Sequence, residues 1–257
     1  MSNNTLIKSK KINKYLLALA CGDSYGSYYE YEGLCGIKFN IKKLPNKPKE
    51  ICITDDTKMA KILLNHYIKN DGIFEDRLLT EYIYWAKTSG YDDGIGIHTE
   101  NILLHKKVDK DSQGNGALMR NIPFALQLIE DGYSFEDTVE LMNKDSFITH
   151  KNYTIAMCNK LALDLAINGI RVLDNIEYEE LSLKFHEGDT AWVIHSLYII
   201  IEALKKDLNF LEGFKYITSF GGDTDTNCAI FAAIRSYKFN ISDQLSVKKF
   251  VHLEELE

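Results

Sequence analysis

The sequence predicts an all-α fold in one domain, and three observations carry that expectation. Apolar residues recur at helical spacing along nearly the whole chain. Strand-like alternation is confined to Ile37, Phe39 and Ile41, and no Pro/Gly/Ser-rich linker interrupts the pattern. With 257 residues the chain can bury one large core or two modest ones, and the missing seam favours a single compact multi-helix domain over 1–257.

Ile12, Tyr15, Leu16 and Leu19 mark a first helix, whose C-terminal end is expected where Gly22 and Gly26 bracket the chain. A second helix follows at Met59, Ile62, Leu63 and Tyr67, and a third at Phe74, Leu78, Tyr82 and Trp85. Leu118, Ile122, Ala125, Leu126 and Ile129 share another helical face. Ser134, three residues before Asp137, reads as a capping box for the helix of Val139 and Met142. The stripe Ile155, Cys158, Leu161, Ala162 and Leu165 ends at Gly169, a fitting residue just past a helix. Val193, Leu197, Ile200, Ile201 and Leu204 form the next stripe, and further helices are expected around Phe214 and around Phe231 and Ile234.

Composition narrows the function classes. Hydrophobic residues at 45% and charged residues at 26% describe an ordinary soluble protein. A net charge of −7 with scattered Lys and Arg speaks against a polyanion, so no nucleic-acid partner is expected. Cys21, Cys35, Cys52, Cys158 and Cys228 are odd in number and lack a C-x-x-C pair, which points away from disulfides and zinc and toward a reducing compartment. The polar stretch Ser2 to Lys14 does not read as a signal peptide. The apolar run near Leu197 to Ile201 is too short to span a membrane. A cytoplasmic monomer is the expectation, because no apolar heptad calls for a partner chain.

Two acidic clusters stand out. Thr54-Asp55-Asp56-Thr57 precedes an amphipathic helix, where a threonine cap and first-turn acids are also good local chemistry. Gly221-Gly222-Asp223-Thr224-Asp225-Thr226-Asn227 precedes a second helix and holds more acid than one cap needs. Oxygen-only groups of this kind suit Mg²⁺, Mn²⁺ or Ca²⁺ rather than zinc. A third string, Gly22-Asp23-Ser24-Tyr25-Gly26, is followed by Glu30, which taken alone is a surface acid. If Glu30, Asp55, Asp56, Asp223 and Asp225 meet, their repulsion demands protons or cations, and two divalent ions nearly balance five carboxylates.

Further strings complete a pattern. Gly114-Asn115-Gly116-Ala117-Leu118-Met119-Arg120, Thr149-His150 and Gly94-Ile95-Gly96 lie between the first and last motifs. In this order, the motifs from Gly22 to Asn227 resemble the ADP-ribosylglycohydrolase family, of the dinitrogenase-reductase-activating glycohydrolase and ADP-ribosyl-acceptor hydrolase type. The resemblance implies an all-α fold with two Mg²⁺ (or Mn²⁺) ions at the bottom of a cleft. Carried over position by position, Thr54, Asp55, Asp56, Asp223, Asp225 and Thr226 are implied metal ligands, with Glu30 beside them. Glu30, Asp55, Asp56 and Asp225 are the implied catalytic acids. Gly94, Gly96, Ser112, Gly114, Asn115, Gly116, Met119 and His150 are implied to line the ADP-ribose site. The implied partner is an ADP-ribosylated protein or a small-molecule ADP-ribose conjugate. Cys228 and Leu118 depart from the family's commoner alanine and small residue, as expected of packing changes. Gln113, where some relatives carry an aromatic, and the short chain bear on substrate rather than chemistry.

The implied reaction is metal-dependent hydrolysis of the bond to the distal ribose, through an oxocarbenium-like state. Gly114-Asn115-Gly116 either cradles a pyrophosphate at a helix start or makes a plain turn. His150 is a ligand contact or a capping and core residue, and Trp85 is expected in the core. All-α isoprenoid synthases also use paired acidic clusters, but Asp55-Asp56 lacks their spaced third Asp. A catalytically weak ADP-ribose-binding or structural relative is the stronger alternative, although every cluster residue is retained.

Overall fold

The computed structural model describes residues 12–70, 72–188 and 190–257. Most of the stretch from Ser2 to Lys14, expected not to be a signal peptide, lies outside the described residues. The described chain is built from helices joined by loops and short 3₁₀ turns, with no strand among the described residues. Among the described residues no helix is long and apolar enough to cross a membrane. The helices are α1 (Lys14–Leu34), α2 (Asp55–Asn70), α3 (Glu75–Thr88), α4 (Ile97–His105), α5 (Gly116–Glu130) and α6 (Phe135–Thr149). They continue as α7 (Tyr153–Asn168), α8 (Glu179–Ser182), α9 (Val193–Lys205), α10 (Phe210–Ser219) and α11 (Thr224–Ser236).

The first helix corrects one expectation. Instead of ending at Gly22–Gly26, α1 runs on to Leu34. Its glycines serve close packing: a Cβ on Gly22 would lie 2.3 Å from Cys228 O, and one on Gly26 would lie 2.3 Å from Thr224 O. α1 therefore packs backbone to backbone against α11, and Thr224 Oγ1 donates to Gly26 O at 2.8 Å. Glycine costs roughly 0.5–1 kcal/mol in a helix interior, which this close seam offsets. Gly221 and Gly222, at φ +72° and +69°, make the turn that feeds α11.

The strand at Ile37, Phe39 and Ile41 does not form. Ile37 N bonds back to Glu32 O, Phe39 N bonds Ser219 O, and Ile41 opens a 3₁₀ turn. Alternation needs a neighbouring strand to pair with, and none is present among the described residues. Phe39 instead meets Tyr29 edge-on, with ring centroids 5.0 Å apart.

Elsewhere the local signals act as the sequence suggests. Ser134 caps α6 by accepting from Asp137 N at 3.0 Å, although its hydroxyl also reaches the Asp137 carboxylate. Gly169 closes α7 at φ +79°. α4, with nine residues, was not anticipated, being too short for a clear periodic stripe. Buried side chains form one cluster from Tyr15 to Leu256, in which α5 packs against α2, α6, α7 and α11. Full burial of each large apolar side chain contributes about 1.5–3 kcal/mol. Trp85 belongs to this core, and its Nε1 donates to Asp93 at 2.8 Å.

Candidate metal centre

The close seam between α1 and α11 sets the floor of a cleft. Glu30 projects from α1, Asp55 and Asp56 from the start of α2, and Asp223 and Asp225 from the start of α11. All five acids line one cavity of 450 Å³, together with Thr226, Gly94, Gly96, Gly114, Asn115, Gly116, Met119 and His150. No Lys or Arg lines it. Two larger depressions elsewhere hold no comparable gathering of acids.

Oxygens of Asp23, Asp56 and Asp225 lie within 4.8 Å of one another, as do those of Glu30, Asp223 and Asp225. Asp225 belongs to both groups, so it stands between them. Asp55 belongs to neither and turns toward the 94–96 loop, where the Gly96 amide donates to its carboxylate. Glu30, a surface acid by sequence alone, is half-buried.

Thr226 Oγ1 donates to Asp56 Oδ2 at 3.0 Å and thereby joins the two clusters. The Thr54 hydroxyl does not cap α2: it donates to Asp23 Oδ1 at 2.9 Å and lies outside the cavity lining. Asp23 is the acid that the sequence reading passed over. It is fully buried and accepts from both the amides and the hydroxyls of Thr54 and Thr57, which locks the turn that aims Asp55 and Asp56. Its signal was present as the Asp of Gly22-Asp23, but its partners are more than thirty residues away.

Crowding and burial act on these acids together. Burial, then the charge of Asp223, pushes the Glu30 carboxyl up to about 7. Burial likewise raises Asp23 to about 6, against the pull of its Thr57 and Thr54 bonds. Asp55, Asp56 and Asp225 are held well above the usual carboxylate range, by burial first and by their neighbours' charges second. Asp56 Oδ1 is buried with no hydrogen-bond partner. An orphaned carboxylate oxygen costs several times what a made bond contributes, and a cation satisfies it directly. Hard oxygen donors, an unpartnered oxygen and no lysine or arginine in the lining fit divalent metal ions.

The rim is made of loops. Trp85 fixes Asp93, whose carbonyl accepts from Asp55 N at 2.7 Å and so anchors the 94–96 turn. Asn115 reaches across to Asp223 Oδ2 at 2.7 Å and to Ser196 Oγ at 2.9 Å. Its amide donates to Ala191 O, and Val193 N donates to Gln113 O, binding the 113–115 loop to the segment before α9. Gln113 accepts from Trp192 Nε1 at 3.2 Å, so an aromatic ring from another loop stands beside it. Ser112 lies outside this cavity, in an adjoining depression that shares Ile97 and His98. Cys228 is buried, with Sγ 3.7 Å from Thr218 Oγ1, and is accommodated as a packing residue.

Residues 4–235 match the family model described as ADP-ribosylglycohydrolase. A protein of Acanthamoeba polyphaga mimivirus, provisionally named an ADP-ribosyl glycohydrolase, is 25% identical, over 90% of this chain and 87% of its own length. A solved structure described as an ADP-ribosylglycohydrolase-related protein complex superposes with a TM-score of 0.70 at 19% identity, over 95% of this chain and 94% of that one, and shows the same fold. The helical architecture and the match along most of the sequence lead to one conclusion: the chain belongs to the ADP-ribosylglycohydrolase family.

Proposed function

We propose that this protein is a Mg²⁺- or Mn²⁺-dependent hydrolase that removes ADP-ribose from a modified protein side chain or another ADP-ribosyl acceptor. One observation carries the reading: five carboxylates line one cleft with no Lys or Arg among its lining residues, and one of their oxygens is buried without a partner. Asp55, Asp56, Asp223 and Asp225 would hold two divalent ions, with Thr226 as a neutral oxygen and Glu30 at the edge, while Thr54, outside the cavity lining, supports them through Asp23. Asp23 holds the Thr54–Thr57 turn in register for them. Bound there, such ions supply Lewis acidity and make a water molecule easier to deprotonate.

The remaining work falls to the chain. The 114–116 loop opens α5, so the Gly116 amide at the helix start can receive the pyrophosphate without a lysine, the Asn115 amide being taken by Ala191 O. Asn115, tied to Asp223, keeps that loop in register with the acidic floor. The Gly94 and Gly96 turn closes the opposite wall. Cleavage at the distal ribose passes through an oxocarbenium-like state, in which a carboxyl group near neutrality is well placed to carry a proton. Glu30, half-buried at the edge of the acidic floor, would either carry that proton or gate the metals. All five cysteines are free, which supports action in a reducing compartment such as the cytoplasm.

The test is the double substitution of Asp55 and Asp56 by Ala, read as release of ADP-ribose from a modified protein with added Mg²⁺ or Mn²⁺. The expected loss is about a hundredfold or more. Turnover equal to the parent protein would end the assignment.

A further inference from the structure

We infer that the buried pair Arg120 and Thr149 sets the tautomer of His150, so that its imidazole faces the cleft as a neutral hydrogen-bond donor through Nε2. Arg120 is fully buried, with its guanidinium 5.2 Å from the Tyr82 ring. Its Nε donates to Asp145 Oδ2 at 2.7 Å, and Nη1 donates to Gly116 O at 2.8 Å. Nη2 donates to Asp145 O at 3.2 Å and to Thr149 Oγ1 at 2.9 Å. Tyr82 completes the cluster by donating to Asp145 Oδ1 at 2.8 Å.

A guanidinium has donors only, so Thr149 Oγ1 must accept from it. The hydroxyl hydrogen of Thr149 is then free for one acceptor, and His150 Nδ1 stands 2.8 Å away. The reverse assignment, with Nδ1 donating, leaves that buried hydrogen without an acceptor among the described residues, a desolvation that nothing repays. A ring nitrogen that accepts carries no proton. Burial first, then the Arg120 charge and His98, hold the His150 pKa well below its usual value, so the ring stays neutral. Its one proton therefore resides on Nε2.

Nε2 faces the rim glycines. A Cβ on Gly114 would lie 3.2 Å from it, and a Cβ on Gly116 would lie 3.4 Å from His150 Cε1, so both glycines keep this edge open. His98 flanks the ring at 4.6 Å between centroids and is itself held by donating to Thr149 O at 2.9 Å. Arg120 is thus a positioning residue: one guanidinium fixes the start of α5 through Gly116 and the direction of the His150 proton through Thr149. A neutral donor beside an acidic floor binds a ligand oxygen without competing for the carboxylates. The ligand half of this inference rests on the proposed ADP-ribose site.

The experiment uses the intact protein with ¹⁵N-labelled histidine, His150 being assigned by the signal lost in His150→Gln. Long-range ¹H–¹⁵N correlation should show the Nε2–H tautomer in the parent protein and in Thr149→Ser. Thr149→Val, nearly isosteric, should lose that preference. An Nδ1–H ring in the parent, or an unchanged ring in Thr149→Val, overturns the inference. Calorimetry with ADP-ribose and Mg²⁺ should show affinity about tenfold weaker in Thr149→Val and restored in Thr149→Ser. Equal affinity in all three removes the donor role of His150. A parent protein that binds no ADP-ribose defeats the proposed function instead, while the tautomer result is decided by the spectra alone.

Discussion

At the floor of the cleft α1 and α11 touch through their backbones, whereas at its rim the 94–96 and 113–115 loops are held by a few separate hydrogen bonds. The floor carries the charge: three of its acids rise from the two helices that meet at this seam. The rim carries glycines, Asn115 and His150, which touch the space where a ligand would lie. Like charges can be kept close only by a scaffold that does not yield, so the rigid contact is spent where repulsion is greatest. Loops that recognise a ligand tolerate change, and this rim loop is steadied by Trp192 Nε1 donating to Gln113 Oε1.

The largest expected effect comes from breaking the floor. Gly26→Ala places a methyl 2.3 Å from Thr224 O and 2.4 Å from Asp225 Cα, both backbone atoms that cannot step aside. Loss of ~3 kcal/mol or more is expected in denaturant unfolding, together with loss of metal binding. A variant as stable as the parent would show that the seam is looser than its geometry.

The charge on the floor gives an effect of similar size. Ions that bind only the folded chain stabilise it by about 2.7 kcal/mol at a hundredfold excess over Kd, so Mg²⁺ or Mn²⁺ should raise Tm and chelator should lower it. In the metal-free chain Glu30 rises from 4.5 to about 7 and Asp23 from 3.8 to about 6. An acid whose folded pKa is raised contributes its stability below its unfolded pKa and loses it as pH rises through the folded value. The chelated protein should therefore melt lower at about pH 8 than at about pH 5, and saturating metal should flatten the difference. A melt that ignores both metal and pH would remove the electrostatic account of the floor.

The smallest effect is predicted just beyond the rim. Ser112 faces the adjoining depression rather than the acidic cavity. Ser112→Ala should change stability by less than about 0.5 kcal/mol and leave ADP-ribose affinity within about twofold. A large loss of affinity would extend the binding surface past His98 and sharpen where the rim ends.

Much of this was legible in the sequence, for a local reason. Helical stripes, the Ser134 cap, the Gly169 stop and the two acidic helix starts depend on residues within one or two turns of each other. What could not be read depends on partners far apart in sequence. Gly22 and Gly26 look like a helix end until α11 is laid against them, and Ile37 to Ile41 look like a strand until no neighbour arrives to pair. Asp23 gave no sign that it gathers Thr54 and Thr57, nor Arg120 that it reaches His150 through Thr149.

By itself, then, the chain's order of residues determined the helices and which side chains had the chemistry to bind cations, because periodicity and donor type are properties of short segments. Only the tertiary structure decided which acids share a cavity, which carboxyls are pushed above their usual range, and which way the His150 proton points. Those depend on distance and burial, and both arise when helices remote in sequence are pressed together.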